Sequence, residues 1–121
     1  FSKWLGIEIV SIEKGSCVLE MVIRKEMLNG FGIAHGGIAY SLADTALAFA
    51  SNTHGKQCMS IETSISHTKS TREGDVLTAT TTELSQTDKI GIYLITISNQ
   101  NNQEVAHFKG TVYRTSKDWT F

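Results

Sequence analysis

The stretch HGGIAYSLADTALAFA, residues 35–50, decides how this chain folds. From Gly36 to His54 the spacing predicts a helix, and its apolar residues fall on every side: Ile38, Ala39, Leu42, Ala43, Ala46, Leu47, Phe49 and Ala50. A surface helix carries one apolar stripe, whereas a helix that is apolar all round is buried. His54 and Gly55 suit its C-terminal end, one as a cation near the negative end of the dipole, the other as a residue free to take the left-handed conformation. At 1.5 Å per residue such a helix is about 27 Å long.

Working outward, the flanking segments read as strands. Leu5 to Ile12 alternates loosely and Lys14-Gly15 is a turn. Cys17, Leu19, Met21 and Ile23 then share one face of a second strand. After the helix come Gln57 to Thr68, Val76 to Leu84, Ile90 to Ser98 and Glu104 to Arg114. In the first of these, Met59, Ile61 and Ile65 face one way; Ile90 to Ser98, apolar on both faces, reads as a central strand. The turns between these four predict an antiparallel meander, with the helix packed on one face. One sheet cannot cover a helix that is apolar all round, so a second copy of the chain is expected to cover the rest, with twofold symmetry favoured.

Length and composition narrow the function. The 121 residues make one domain, residues 1–121, with no linker or repeat and no proline. The net charge of −1 leaves no basic stripe for nucleic acid. No apolar run approaches the ~18 residues of a membrane span. Two cysteines, Cys17 and Cys58, in a chain of ordinary composition read as free thiols of a reducing compartment, so the cytoplasm is the expected location. The chain opens on Phe1 rather than Met, which leaves a removed leader open.

Asp44 is the one acidic or basic side chain between His35 and His54. A carboxylate in a buried helix costs several kcal/mol unless it is compensated or used. It either pairs with the Ser41 or Thr45 hydroxyl to fix register, or faces a cleft at a subunit boundary as general base or nucleophile. His35-Gly36-Gly37 stands where the helix begins, with unpaired N–H groups and a partial positive charge. It is either a connecting turn or an oxyanion hole, donors aimed at an oxygen that gains charge on attack. Asn29, beside Gly30, is either a turn former or an amide that orients a carbonyl or a water. The four histidines and two cysteines lack metal-ligand spacing, so neither metal nor cofactor is expected. Ser41 lacks the glycines of a nucleophile elbow.

The set Asn29, Gly32, His35-Gly36-Gly37 and Ser41-Leu42-Ala43-Asp44-Thr45-Ala46 resembles the signature of the PaaI-like hot-dog thioesterases, the phenylacetic acid degradation group. Gly74-Asp75-Val76-Leu77-Thr78-Ala79, Gly91-Ile92-Tyr93 and Ser98-Asn99-Gln100 extend the resemblance over nearly the whole chain. It implies an α+β hot-dog fold, a long central helix wrapped by a curved antiparallel sheet, in homodimers that pair into homotetramers. It implies an acyl-CoA thioesterase acting without a metal on aryl- or short-to-medium acyl-CoA. Asp44 matches the catalytic carboxylate, Gly36 the oxyanion amide and Asn29 the residue that places the carbonyl or the water. Asp44 is expected to act on substrate held by the other subunit's Asn29 and Gly36, with His35, Gly37, Ser41 and Thr45 contacting the substrate. Burial is expected to raise the pKa of Asp44. Lys69, Arg72 and Lys89 are candidate cations for the CoA phosphates. Two other readings stay open: an acyl-thioester hydratase or dehydratase with His35 as proton carrier, and a non-catalytic acyl-CoA-binding module.

Overall fold

The computed structural model describes residues 1–118. A short helix α1 (Ser2–Leu5) leads into β1 (Glu8–Glu13) and β2 (Ser16–Val22). A 3-10 turn (Lys25–Met27), the long helix α2 (Gly36–Asn52) and four strands follow: β3 (Lys56–His67), β4 (Val76–Gln86), β5 (Ile90–Ser98) and β6 (Glu104–Asp118). The six strands form one antiparallel sheet in the order β1-β2-β4-β5-β6-β3. This is the expected hot-dog layout, with α2 laid along one face of the sheet.

The core lies between α2 and that face. Ile38, Leu42, Ala43, Ala46, Leu47 and Ala50 of the helix are buried against Leu19 and Met21 of β2, Leu77 and Ala79 of β4, Tyr93, Ile95 and Ile97 of β5, and Phe108 and Val112 of β6. Cys17, Leu19, Met21 and Ile23 share the buried face as expected. The β5 strand is central, with its helix-facing side buried and Ile90, Ile92 and Leu94 half-buried on the other. Gly110 of β6 lies directly under Leu47, where a Cβ would come within 2.5 Å of Leu47 Cδ2. Only a residue without a side chain lets helix and sheet approach so closely there.

Four expectations need correcting. The first strand begins at Glu8, because Leu5 ends α1 and is buried there, and all of β1 is exposed. The helix ends at Asn52, and His54, past the Thr53 C-cap, turns to Glu83 at 3.2 Å rather than to the last carbonyls. The meander covers only β4, β5 and β6, since β3 pairs with β6 and leaves its place beside β4 to β2. The connection from β3 to β4 is held on the way: Thr68 N–H donates to Val105 O at 2.9 Å, Ala34 N–H to Thr71 O at 2.8 Å and Gly74 N–H to Ile23 O at 2.8 Å.

The fourth concerns the faces of β3. Ser60 pairs with Val112 and Glu62 with Thr111, so Ile61 is an extra residue in a bulge. A bulge of this kind inverts the alternation beyond it. Met59 therefore points away from the helix, while Thr63, Ile65 and His67, opposite the buried Gly110, Phe108 and Ala106, point toward it. Thr63 Oγ1 lies 2.6 Å from the Tyr40 hydroxyl of α2.

Candidate active site

The N-terminal end of α2 opens onto a cavity of about 420 Å³ lined by Asn29, His35, Gly36, Ala39 and the segment His67 to Thr71. Backbone bonds build its rim. Asn29 N–H donates to Ile33 O at 2.8 Å, and His35 N–H donates to Met27 O at 2.9 Å, which leads the chain into the helix. Asn29 Oδ1 accepts from Phe31 N–H at 2.8 Å and Ile33 N–H at 3.4 Å. Asn29 is thus a turn former, and those bonds leave its Nδ2 without an acceptor among the described residues.

The three residues of the His-Gly-Gly turn divide their work. His35 is the N-cap, and its Nδ1 accepts from Gly37 N–H at 3.0 Å. That bond makes Nδ1 the unprotonated nitrogen, so the neutral ring carries its proton on Nε2. It also occupies the Gly37 amide. Gly36, the first helical residue, has no carbonyl one turn back to receive its N–H. Of the two glycine amides, that of Gly36 is the one available to a ligand, at the positive end of the helix dipole.

Asp44 lies eight residues further along α2, about 12 Å away at 1.5 Å per residue. It is half-buried and lines two grooves rather than the Gly36 cavity. One, of about 290 Å³, is formed with Phe1, Leu5, Tyr40, Ser41 and Thr45. The other is formed with Leu47, Ala48, Ser51, Cys58, Ser60 and Val112. Burial raises the Asp44 pKa, as expected. The hydroxyls that could have paired with it are committed elsewhere: Ser41 Oγ donates to Gly37 O at 2.7 Å and Thr45 Oγ1 to Ser41 O at 2.8 Å. The register-fixing alternative for Asp44 therefore lacks its partners.

Of the candidate cations, Lys69 lines the Gly36 cavity. Lys89 lies in a different one, with Lys56 and Arg114, and Arg72 is exposed on the turn closed by its N–H to Asp75 Oδ2 at 2.9 Å. Both cysteines are free thiols. Among the described residues no group of three or more His, Cys, Asp or Glu is placed to hold a metal ion, and no helix is long and apolar enough to cross a membrane.

His67 escaped the sequence reading. It stands in the Gly36 cavity, and its Nε2 lies 3.4 Å from where a Cβ of Gly36 would be. Counted from Ser60, which pairs with the buried Val112, strict alternation would turn His67 away from the helix, and the bulge at Ile61 reverses this. No residue-type signal marks that bulge.

Comparison with known proteins agrees with this layout. The thioesterase superfamily model matches residues 31–106. Acyl-coenzyme A thioesterase PaaI of Escherichia coli K12 is 40% identical over 113 residues, 93% of this chain and 81% of that protein. The solved structure of the E. coli PaaI protein superposes with a TM-score of 0.95 at 39% identity, covering 98% of this chain and 86% of the other. A mutant of the PaaI protein from Thermus thermophilus gives 0.92 at 30% identity, covering 95% and 98%. A Streptococcus mutans protein solved bound to acetyl CoA gives 0.90 at 29% identity, covering 93% and 91%. The wrapped helix, the glycine turn at its head and these likenesses agree, and the chain belongs to the thioesterase superfamily as a PaaI-like enzyme that hydrolyses thioesters.

Proposed function

We propose that this protein hydrolyses aryl- or short-to-medium acyl-CoA thioesters to the free acid and CoA, at sites shared between two copies of the chain. The thioester carbonyl accepts the Gly36 N–H at the head of α2, with the free Nδ2 of Asn29 helping to place it. Asp44 of the facing protomer either takes a proton from an attacking water or attacks the carbonyl carbon itself. The carbon–sulfur bond then breaks and CoA leaves as the thiol. His35, Gly37, Ser41 and Thr45 shape the walls, the hydroxyls of the last two through bonds that hold the helix. Lys69 at the cavity is the candidate for a CoA phosphate.

The observation that carries this reading is the separation of the two halves of the site. Asp44 opens to grooves on the helix face that the sheet leaves uncovered, where Ala48 and Phe49 are exposed. That face borders β3, an edge strand with Met59 58% and Ile61 56% exposed. An unpaired edge and an uncovered apolar helix face are both satisfied by a second copy across a twofold axis. Pairing of dimers into a homotetramer and a cytoplasmic location belong to the same proposal, as does binding of CoA, which a relative's acetyl-CoA complex supports. The hydratase reading loses support, because the neutral His35 ring has its lone pair on Nδ1, already bonded to Gly37 N–H. A binding module has no use for a desolvated carboxylate beside a labile thioester.

Mixing two inactive variants tests the proposal. Asp44→Ala should fold and lose about 10²-fold or more in kcat, and Gly36→Val should be inactive through its blocked amide. Unfolded, mixed and refolded together, half the dimers are mixed and each holds one intact site, so about a quarter of wild-type activity returns. No recovery in dimers shown to be mixed places both halves in one chain. Near-normal hydrolysis of acyl-CoA by Asp44→Ala removes the carboxylate from the mechanism.

A further inference from the structure

Resting on the reading that the thioester carbonyl docks at Gly36, we infer that His67 is a further hydrogen-bond donor to that carbonyl oxygen, beside Gly36 and Asn29, and so a catalytic residue. The wall of the Gly36 cavity opposite the helix is the end of β3, and His67 is its last residue. Its Nε2 and Cε1 lie 3.4 and 3.7 Å from where a Cβ of Gly36 would be. The absence of a side chain at Gly36 therefore leaves a gap bounded by the Gly36 amide on one side and an imidazole nitrogen on the other. An oxygen lodged there has a donor from each wall.

The backbone of His67 is held while its ring is free and exposed. On the backbone, His67 is paired with Ala106, and Thr68 N–H and Lys69 N–H both donate to Val105 O, at 2.9 and 3.3 Å. The side chain makes no hydrogen bond or ion pair to any described residue. The other histidines are engaged: His35 by Gly37 N–H, His54 by Glu83 at 3.2 Å and His107 by Glu104 at 3.9 Å. Of the two imidazoles in the cavity, His35 is thus committed to the helix cap and His67 has both ring nitrogens available to a ligand. The bulge at Ile61 brings it there, a device typical of strands beside active sites.

In the reaction, water or the Asp44 carboxylate adds to the carbonyl carbon and the π pair of the carbonyl moves onto its oxygen. The charge there is met by Gly36 N–H and by His67 Nε2–H, and neither proton leaves its nitrogen. When the intermediate collapses, the pair returns and the carbon–sulfur bond breaks. In the water route Asp44 passes the proton it took to the departing sulfur; in the covalent route the thiolate takes a proton from solvent water, and a second water cleaves the acyl–Asp44 anhydride to release the acid and restore the carboxylate. Donors held at a developing oxyanion are worth about 10²–10³ in rate each.

The test uses the full chain with three substitutions, singly and combined. His67→Ala should lower kcat on an acyl-CoA substrate by about 10²-fold, and His67→Gln, which keeps an N–H donor, should recover most of it. In an Asp44→Asn background that holds substrate intact, the infrared carbonyl band of a ¹³C-labelled acyl-CoA should shift to lower frequency on binding. Adding His67→Ala should remove part of that shift, and adding His67→Gln should retain it. A carbonyl shift and kcat both unchanged by His67→Ala overturn the inference. So does a loss of rate in His67→Ala with the carbonyl shift unaltered, which would make His67 a packing residue. The underlying reading fails separately, if the wild-type protein releases no CoA from any acyl-CoA or if Asp44→Asn remains active.

Discussion

The contact between Gly110 and Leu47 sets the height of α2 above the sheet, and Gly110→Ala perturbs it with one methyl group. The added Cβ would meet Leu47 Cδ2 at 2.5 Å, Cδ1 at 2.9 Å and Cγ at 3.2 Å. Carbon atoms rest at about 3.5–4.0 Å, so the leucine or the helix must retreat by about 1 Å. Leu47 is 1% exposed and packed in the core, so the overpacking costs about 1–3 kcal/mol. For a domain of this size each kcal/mol lowers Tm by about 4 °C. Leu47→Ala alone should cost about 2–5 kcal/mol through the cavity it leaves. In the double variant the new methyl fills part of that cavity, so the combined loss should fall short of the sum by about 1 kcal/mol or more. Leu47 also lines an Asp44 groove, so Gly110→Ala should raise KM, and the double variant should reverse part of that. Urea unfolding at one fixed protein concentration, together with steady-state kinetics, measures both. A stability-neutral Gly110→Ala, or strictly additive costs, refutes the packing described here.

Three further outcomes follow from the same structure. Asp44→Asn should be more stable than wild type near neutral pH. Burial raises the carboxyl pKa above 3.8, so the folded state holds the proton longer than the unfolded chain, and wild type loses stability as pH rises from 3.8 through the folded value. The stability gap between the two proteins should therefore widen above pH 3.8, and a gap independent of pH contradicts the desolvation of Asp44. Asn29→Asp keeps the acceptor for Phe31 and Ile33 N–H but removes the Nδ2 donor, so stability should hold within about 0.5 kcal/mol while kcat/KM falls about 10-fold or more; equal loss of both assigns Asn29 to the turn alone. Burial pushes both thiols up, that of Cys17 to about 11, and Cys17 is 1% exposed while Cys58 is half-buried, so an aromatic disulfide reagent should label Cys58 well before Cys17 in the native protein and both cysteines after denaturation, whereas rapid labelling of Cys17 disproves its burial.

The legibility of this protein follows the range of the interactions involved. Helix α2 was readable because periodicity and the glycine turn are local, and Asp44 was readable because one charge among alanines stands out without any knowledge of neighbours. The strands were readable one by one from alternation and turn residues, as in Cys17 to Ile23. Their partners were not: β3 lies beside β6 because the connection 68–75 is held by Ala34, Ile23 and Val105, which are remote in sequence.

The site divides in the same way. Asn29, Gly36 and Asp44 were marked by residue type and spacing, since an amide beside a glycine, a glycine at a helix head and a lone carboxylate each carry chemistry locally. Whether those groups meet, and on which chain, depends on which surfaces the fold covers. His67 depended on one surplus residue at Ile61, which turns the end of β3 toward the helix. Side-chain direction in a strand is a parity, and any insertion upstream reverses it, so local pattern determined which elements form while tertiary pairing alone decided which ring faces Gly36.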